Sequence, residues 1–261
     1  MDYTRQEVMA VAAAKELRDG EVAFIGTGLP MIAAYLAKLT HAPGLHLIFE
    51  SGIIGARPRG LAIGVGDFKL VSHCQKATSL YYVLGLLQSG HVDVGFLGAA
   101  EIDRHGNINS TVIGDYRRPK VRLPGSGGAN DIASLAKRVI LIVPHQRRKF
   151  VEKLHYLTTP GFLDGGDSRR RAGLTGRGPA RVISDLAILG FEPLSKRMRL
   201  ESLHPGVALE EVRDQTGFEL LLPDTIPLTP VPTPEQVRLL RERIDPEGEY
   251  ITPPQPTGAQ G

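Results

Sequence analysis

The sequence predicts an α/β protein with an open, mostly parallel β-sheet flanked by helices and a small antiparallel portion toward the C-terminus. Three observations predict this fold class. Residues 21–49 have the pattern of a strand, a helix and a second strand, the unit from which parallel sheets are built. Residues 139–143 are Val-Ile-Leu-Ile-Val, typical of a strand buried on both faces. Residues 181–203 alternate apolar and polar residues around turns, which indicates antiparallel strands.

The chain is expected to open with a helix. Thr4 and Glu7 have the spacing of a capping box, and apolar residues recur at helical intervals until Asp19-Gly20. The strand–helix–strand unit follows, its helix ending near Leu39. Farther along, the pattern predicts a helix, a buried strand and a hairpin-type turn, at residues 80–87, 92–97 and 105–107 respectively.

The composition and the apolar pattern of the sequence change beyond Thr158. Residues 161–178 are rich in glycine and arginine and have no apolar period, so we expect a long loop. Thr233 and Gln236 form a second capping box, and this last helix is expected to run to about Ile244. The Pro-, Gly- and Gln-rich stretch 252–261 predicts a disordered tail, after a single domain spanning residues 1–251.

Composition excludes several classes of function. The chain has 261 residues, of which 42% are hydrophobic, enough for one substantial core. Its net charge is only +3 and it has no tryptophan, so no nucleic-acid partner is expected. Cys74 is the single cysteine, which excludes an internal disulfide, and no metal site is predicted. Neither a signal peptide nor an apolar run of membrane-spanning length is evident, so a cytoplasmic protein without a membrane partner is expected.

Glu50 is the most informative single residue, because it directly follows the apolar run of residues 45–49. A carboxylate there is costly to bury unless it is paired or used. Ser51 and Gly52 then turn the chain, and ligands of parallel sheets collect at the carboxyl ends of strands. Glu50 is therefore a candidate nucleophile or base. On position alone, a glutamate facing solvent or an arginine remains open.

Two glycine-rich segments are further candidates. In residues 125–130, Gly-Ser-Gly-Gly-Ala-Asn, three glycines precede a predicted helix, so backbone N–H groups can converge on a phosphate or an oxyanion. A plain flexible turn is the alternative. Gly26-Thr27-Gly28 is half of a dinucleotide fingerprint whose third glycine would fall at Met31. This departure argues against a nicotinamide site and leaves a tight turn that a substrate approaches.

Other polar segments have simpler explanations. The polar residues of 101–111 are expected to form a site wall, although turn chemistry alone explains Asp103, Gly106 and Asn107. The arginine cluster at 169–171, with Arg177 and Arg181, is interpreted as a solvated face rather than a phosphate site. Cys74, beside His73, is interpreted as buried rather than nucleophilic. His145 is expected just beyond a strand end, with no obvious partner.

With these motifs in place, the chain resembles the β subunits of the family I CoA transferases, the glutaconate CoA-transferase type in particular. The resemblance extends from near Tyr3 to near Glu249, and the order and spacing of its motifs are more specific than any single one. These motifs are Gly26-Thr27-Gly28-Leu29-Pro30, Glu50-Ser51-Gly52, Ile102-Asp103 with Gly106-Asn107, Asn109-Ser110-Thr111, Ile113-Gly114-Asp115-Tyr116, Gly125-Ser126-Gly127-Gly128-Ala129-Asn130, Thr216-Gly217-Phe218 and Ile244-Asp245-Pro246.

The resemblance implies a CoA-transferase-like fold and an active site shared with an α subunit, in an α2β2 or larger assembly. It implies that Glu50 attacks an acyl-CoA carbonyl, passing through an anhydride and a glutamyl-CoA thioester with ping-pong kinetics. The backbone of Gly127 and Gly128 would form the oxyanion hole. Coenzyme A would be a substrate, with no permanently bound cofactor. Residues predicted to bind substrate are Gly26, Thr27, Gly28, Ser51, Gly52, Asn109, Ser126, Ala129 and Asn130.

The chain also departs from the glutaconate pattern. Residues 52–59 and 74–82 differ from the glutaconate enzyme, and Glu101 stands where an amide is expected. The resemblance therefore does not identify the acid substrate, except that a dicarboxylic acid is expected. Relatives of this family also hydrolyse or cleave C–C bonds in CoA thioesters, with the nucleophilic glutamate replaced. A hydrolase or lyase on the same scaffold, and a non-catalytic partner subunit, are the alternatives; the presence of Glu50 favours transfer.

Overall fold

A computed structural model describes residues 3–57 and 60–251, so the predicted tail at 252–261 lies outside the described residues. Strands are β1 (Val22–Ile25), β2 (His46–Phe49), β3 (Ile53–Ile54), β4 (Lys76–Ala77), β5 (Val94–Leu97), β6 (Glu101–Ile102), β7 (Ile108–Asn109), β8 (Val112–Gly114), β9 (Pro119–Arg122), β10 (Arg138–Ile142), β11 (Pro179–Ile183), β12 (Ala187–Phe191) and β13 (Met198–Leu203). Helices are α1 (Arg5–Lys15), α2 (Leu29–Leu39), α3 (Leu80–Gln88), α4 (Ala129–Leu135), α5 (Ser168–Arg171), α6 (Leu209–Asp214) and α7 (Pro234–Leu239), with a 3₁₀ turn at Phe68–Val71 and a π turn at Leu240–Ile244.

Within the described part of the chain, nine strands form one open sheet in the order β13-β12-β11-β10-β5-β1-β2-β3-β4. The five central strands, from β11 to β2, are parallel to their neighbours. The strands at both edges are antiparallel: β12 and β13 on one side, β3 and β4 on the other. The predicted fold class is confirmed, with the difference that the C-terminal antiparallel strands extend the main sheet.

Both faces of the sheet are covered, which explains why its strands are apolar without alternation. Ile25 and Phe49 belong to a core that includes residues of α1 and α2. Phe24 and Ile48 point the other way and belong to a second core that includes residues of α3 and α4. The capping boxes predicted at Thr4 and at Thr233 are both present and begin α1 and α7.

Gly95 determines how closely α4 packs on the sheet. A methyl group at residue 95, in β5, would overlap the side chain of Ile132 in α4. With glycine there, α4 lies directly against β5 and β10. The helix therefore begins near the carboxyl ends of the parallel strands, where Gly127 and Gly128 precede it.

Two expectations for residues 161–178 were wrong. The segment contains a short helix, α5, and the Arg169 side chain is only 5% exposed. Its guanidinium donates to the carbonyls of Gly161 and Gly176 at 2.9 and 2.7 Å, and to the carbonyl of Ala133 in the last turn of α4. A cation is favourable at the carbonyl end of a helix. Arg170 and Arg171 are solvated as expected, because the local composition is polar, whereas Arg169 is buried by contacts distant in sequence.

His145 also differs from the expectation, because it has partners. It is buried, and its ring nitrogens lie 2.9 Å from the hydroxyl of Ser184 and 3.0 Å from that of Thr216. Its ring stacks on Phe150 with centroids 4.1 Å apart. These partners come from distant parts of the chain, which local sequence does not reveal. Burial lowers the pKa of His145 to about 4, so the imidazole is neutral at pH 7.

We predict that Arg169→Met destabilises the fold, because it leaves several buried carbonyls without a donor. Each such group costs about 1–3 kcal/mol. Arg170→Met is the matched control: its side chain is 84% exposed, so its effect should stay within about 0.5 kcal/mol. Urea unfolding of both variants gives the comparison. Equal midpoints for the two variants would contradict a structural role for Arg169.

We predict that His145 makes stability fall in acid. Its folded-state pKa of about 4 lies below its ordinary value of 6.5, so the unfolded chain takes up the proton first. The contribution is complete above pH 6.5 and is lost as pH falls toward 4, by on the order of 3 kcal/mol. Unfolding free energies measured across this range should depend less on pH in His145→Gln than in the unsubstituted chain. The same pH dependence of the unfolding free energy in both proteins would contradict this prediction.

Candidate active site

Glu50 lies at the carboxyl edge of the sheet, in a three-residue connection between β2 and β3. Phe49 pairs with Ile53, and the N–H of Gly52 donates to the carbonyl of Phe49 at 3.0 Å. Gly52 has φ 94, and a methyl group there would overlap the carbonyl of Thr78. This tight turn needs glycine, and it fixes the point from which the Glu50 side chain leaves the sheet.

The structure brings Glu50 together with the predicted oxyanion hole, 78 residues away in sequence. The N–H of Gly128 donates to Oε1 of Glu50 at 3.0 Å. A Cβ on Gly128 would lie 3.2 Å from the carboxyl carbon and from Oε1, closer than is ordinary for such contacts. Glycine at position 128 is therefore what allows the carboxylate to approach the backbone. Gly127, at φ 49, turns the chain into this contact.

The N–H groups of Gly127 and Gly128 differ in whether they are hydrogen-bonded. The N–H of Gly128 is bonded to the carboxylate, and a hydrogen bond to a charged acceptor is among the stronger ones. The N–H of Gly127 has no hydrogen-bond partner among residues 3–57 and 60–251, and this residue is exposed. One donor thus holds Glu50 and the other is available. Because α4 has only seven residues, these donors matter more here than a helix dipole.

Ser126, Ala129 and Asn130 hold the start of α4. The Ser126 carbonyl accepts from the N–H of Ala129 at 2.9 Å, and its hydroxyl accepts from the N–H of Asn130 at 3.2 Å. The Asn130 side chain accepts from Ser134 at 3.1 Å. In this structure these residues stabilise the glycine loop; direct substrate contacts by them stay a prediction.

Gly26, Thr27 and Gly28 lie beside Glu50. Ile25 and Phe49 are paired in neighbouring parallel strands, so the following residues leave the sheet side by side, about 4.8 Å apart. Gly28, at φ 79, begins α2, and a Cβ there would lie 3.7 Å from the ring of Tyr250. Substrate binding by this turn stays a prediction, and the turn lies next to Glu50.

Ser51 is an unusual neighbour of Glu50. Its hydroxyl is buried and has no hydrogen-bond partner in the described part of the chain. A buried, unpaired hydroxyl is costly, which is the pattern of a group kept for a ligand or a reacting atom. The structure thus leaves the predicted substrate-binding role of Ser51 available, as a donor next to the carboxylate.

Asn109 does not reach the site surface. It is fully buried, and its amide donates to Oε2 of Glu101 and to the carbonyl of Val112, both at 2.7 Å. The wall expected from residues 101–111 instead supports the glycine loop through Ser110, whose hydroxyl donates to the carbonyl of Gly125 at 2.9 Å. Asn109 therefore acts on the shape of this wall, because its buried amide is already bonded to Glu101 and Val112.

Sequence reasoning missed a pair at this edge of the sheet, in which the buried carboxylate of Glu101 contacts the exposed imidazole of His155. Oε1 of Glu101, a residue that is 2% exposed, accepts from Nδ1 of His155 at 2.6 Å, and Oε2 accepts from the backbone N–H of His155 at 3.1 Å. It also missed Tyr250, whose hydroxyl donates to the carbonyl of Ala62 at 2.8 Å near the Gly28 turn. The unexpected acidic residue at position 101 was the one feature of the sequence that indicated the Glu101–His155 contact. No feature of the sequence indicated the position of Tyr250.

Two further findings concern the described residues only. None of their His, Cys, Asp and Glu side chains come together in groups of three or more that could hold a metal ion. None of their helices combines the length and the apolar character needed to cross a membrane.

Comparisons with known proteins agree with this geometry. The profile of the Coenzyme A transferase family matches residues 6–215. One subunit of the 3-oxoadipate CoA-transferase of Pseudomonas knackmussii is 46% identical over 240 residues, 92% of each chain. One subunit of the glutaconate CoA-transferase of Acidaminococcus fermentans is 40% identical over 259 residues, 97% of each chain. The crystal structure of glutaconate coenzyme A-transferase from the same organism superposes with a TM-score of 0.92 at 39% identity, covering 97% of this chain and 99% of that one.

A relative with a different activity has a lower sequence identity. The IpdB subunit of the cholesterol ring-cleaving hydrolase of Mycobacterium tuberculosis is 31% identical over 247 residues, 94% of this chain and 96% of the relative. The family profile covers well over half of the chain, and the two CoA-transferase relatives match nearly all of it. On these grounds, and with a carboxylate held against a double-glycine backbone at the carboxyl edge of the sheet, the chain belongs to the Coenzyme A transferase family.

Proposed function

We propose that this chain is the β subunit of a heteromeric CoA transferase that moves CoA from an acyl-CoA to a carboxylic acid, through covalent catalysis by Glu50. The observation that carries the proposal is the 3.0 Å hydrogen bond between the Gly128 N–H and the Glu50 carboxylate, beside the unpaired N–H of Gly127 in the described part of the chain. It joins a nucleophile to donors suited to an oxyanion. The names of the two CoA-transferase relatives support the reaction type.

The reaction divides into two matching halves. A Glu50 oxygen attacks the thioester carbonyl of the acyl-CoA, and collapse of the tetrahedral adduct expels the CoA thiolate and leaves a mixed anhydride. The thiolate then attacks the glutamyl carbonyl, which forms a glutamyl-CoA thioester and releases the first acid. A second acid attacks this thioester, and the steps run in reverse. The CoA thiolate expelled in the first step is the nucleophile of the second, and the first acid leaves as a product, so the reaction balances without an oxidant or a reductant.

The two glycine donors serve different steps in this proposal. The Gly128 N–H already binds a Glu50 oxygen, so it is placed to stabilise the oxyanion that forms on the glutamyl carbon when thiolate or acid attacks it. In the same proposal, the free Gly127 N–H donates to the oxyanion that forms on the substrate carbonyl. Removing one such donor typically costs about 2.7–4 kcal/mol in the barrier.

We also propose that an α subunit completes the site, in an α2β2 or larger assembly. The Glu50 side chain is only partly buried in this chain alone, whereas an anhydride must be protected from water. Both CoA-transferase relatives are named as one subunit of a larger enzyme, which supports a partner chain. A dicarboxylic acceptor is favoured because the 3-oxoadipate and glutaconate enzymes are named for dicarboxylic acids. A cytoplasmic location stays a prediction.

A hydrolase or lyase on the same scaffold is the second candidate, supported by the 31% identity to a ring-cleaving hydrolase subunit. In that case Glu50 would act as a base toward water. The closer identity to two transferases favours transfer, and the requirement for a carboxylic acid acceptor separates the two reactions.

We predict that Glu50 carries CoA covalently. The complex with its α subunit, incubated with a panel of dicarboxylic acyl-CoAs and then reduced with borohydride, should lose mass at Glu50 alone, because its thioester is converted to an alcohol. Glu50→Ala should assemble normally and show no transfer activity. Release of CoA with Glu50 unmodified would exclude transfer and favour the hydrolase.

We predict that Gly128→Ala lowers kcat about 10²–10³-fold, because its Cβ would lie 3.2 Å from the Glu50 carboxyl group and displace it from the backbone donor. Gly85→Ala in α3 is the matched control, since a Cβ there meets no atom within 4 Å. Steady-state kinetics on both complexes tests this. A variant at position 128 with unchanged kcat would show that the contact is not needed for catalysis.

A further inference from the structure

The hairpin formed by β8 and β9 carries an unusual concentration of unpaired positive charge. Residues 115–122 contain four basic side chains and one acidic one. The acidic one, Asp115, accepts from the backbone N–H groups of Arg117 and Arg118 at 2.8 and 3.0 Å, which closes the turn. The side chains of Arg117, Arg118 and Lys120 form no ion pair or hydrogen bond within residues 3–57 and 60–251, and all three residues are exposed.

The hairpin is held in place by an aromatic contact. The ring of Tyr116 stacks on Tyr156 with centroids 5.4 Å apart. The Arg122 guanidinium lies 4.9 Å from the Tyr116 ring centroid and donates to the Tyr116 carbonyl at 3.0 Å. These contacts fix the tip of the hairpin against the segment that contains His155. The cations are therefore presented on an ordered turn rather than on a loose loop.

The base of the hairpin is connected directly to the active site. The Leu123 N–H donates to the carbonyl of Thr111 at 3.0 Å, and the Gly125 N–H donates to that of Ser110 at 2.8 Å. The stretch from Arg122, at the base of the hairpin, to Gly128 spans at most about 21 Å, and Arg117, Arg118 and Lys120 lie two to five residues beyond Arg122 in the hairpin. In CoA the pantetheine arm separates the thiol from the phosphates. When the thioester is at Glu50, the phosphates must therefore lie at a distance of this order.

Five other cations are less suited to bind a ligand at this site. Arg169 donates to backbone carbonyls, Arg147 donates to the carbonyls of residues 214 and 216, and Lys149 donates to that of residue 99. Lys38 and Arg57 line a separate cavity that also includes residues 45 and 46, at the amino end of β2, opposite Glu50. The hairpin therefore combines free charge with a direct connection to the glycine loop whose Gly128 binds the Glu50 carboxylate.

We propose that the β8–β9 hairpin binds the phosphate groups of CoA through Arg117, Arg118 and Lys120. This inference rests on the proposed function and assigns a part of the substrate, the 3′-phosphate and diphosphate, to a part of the chain. Guanidinium groups match phosphate geometry with paired N–H donors, and lysine adds a point charge. Binding of this kind weakens with salt, since exposed charges are screened.

The test uses the complete complex and two thioesters of the same acid: the acyl-CoA, and the acyl-pantetheine, which has no phosphate. The variant Arg117→Gln/Arg118→Gln/Lys120→Gln should raise KM for the acyl-CoA at least about tenfold. Its kinetics with acyl-pantetheine should match those of the unsubstituted complex. Added salt should raise KM for the acyl-CoA in the unsubstituted complex and much less in the variant.

Arg170→Gln/Arg171→Gln is the control for loss of surface charge elsewhere, and it should leave both substrates unaffected. An unchanged KM for the acyl-CoA in the hairpin variant would overturn the inference. An equal loss with acyl-pantetheine, or dissociation of the complex in size-exclusion chromatography, would also overturn it and would assign the hairpin to docking between the two kinds of subunit.

Calorimetric titration of CoA into the complexes separates this inference from the proposed function. If the unsubstituted complex binds CoA but catalyses no transfer, the proposed function fails, while weaker CoA binding by the hairpin variant still supports the phosphate site. If transfer proceeds and both complexes bind CoA equally, only the phosphate site fails.

Discussion

The hydrogen bond between the Gly128 N–H and the Glu50 carboxylate joins two elements that share no sequence neighbourhood. It exists only because three positions lack side chains. Gly52 allows the turn that directs Glu50 out of the sheet, Gly95 lets α4 lie against β5, and Gly128 lets the carboxylate reach the backbone. Each glycine removes a different steric obstacle. The geometry of the candidate site is thus a property of backbone packing, and the position of the Glu50 carboxylate is one of its consequences.

Within residues 3–57 and 60–251 Glu50 has no ion-pair partner, and its carboxylate is bound by a backbone N–H instead. A carboxylate paired with an arginine would be a weaker nucleophile, because the ion pair would have to break as charge leaves the oxygen. A backbone N–H is a weaker and neutral donor, which in the proposed mechanism would stay in place while the carboxylate becomes an anhydride and then a thioester. Preorganised neutral dipoles of this kind stabilise a transient oxyanion without reorganising.

Local pattern predicted the parallel core, both capping boxes and the position of Glu50 at a strand end. These features depend on neighbours in sequence, so periodicity and capping residues reveal them. The approach of Gly128 to Glu50 came instead from the family resemblance, since no local signal joins residues 78 apart. The same limit explains the buried side chains of Arg169 and His145. Their partners belong to other elements, and a charged or titratable side chain in a polar stretch resembles a solvated one until those partners are known.

Glu101 shows how one unexpected residue type can indicate a long-range contact. A carboxylate where an amide is expected adds a negative charge in a buried position, and burial of a single charge is costly. The structure compensates it with the Nδ1 of His155 and the amide of Asn109. Asn109 is therefore committed to the fold, while Ser110 next to it supports the glycine loop. The wall formed by residues 101–111 and the glycine loop at 125–128 are in this way a single hydrogen-bonded unit. A substitution at Glu101 would therefore disturb the Gly127–Gly128 backbone through this unit.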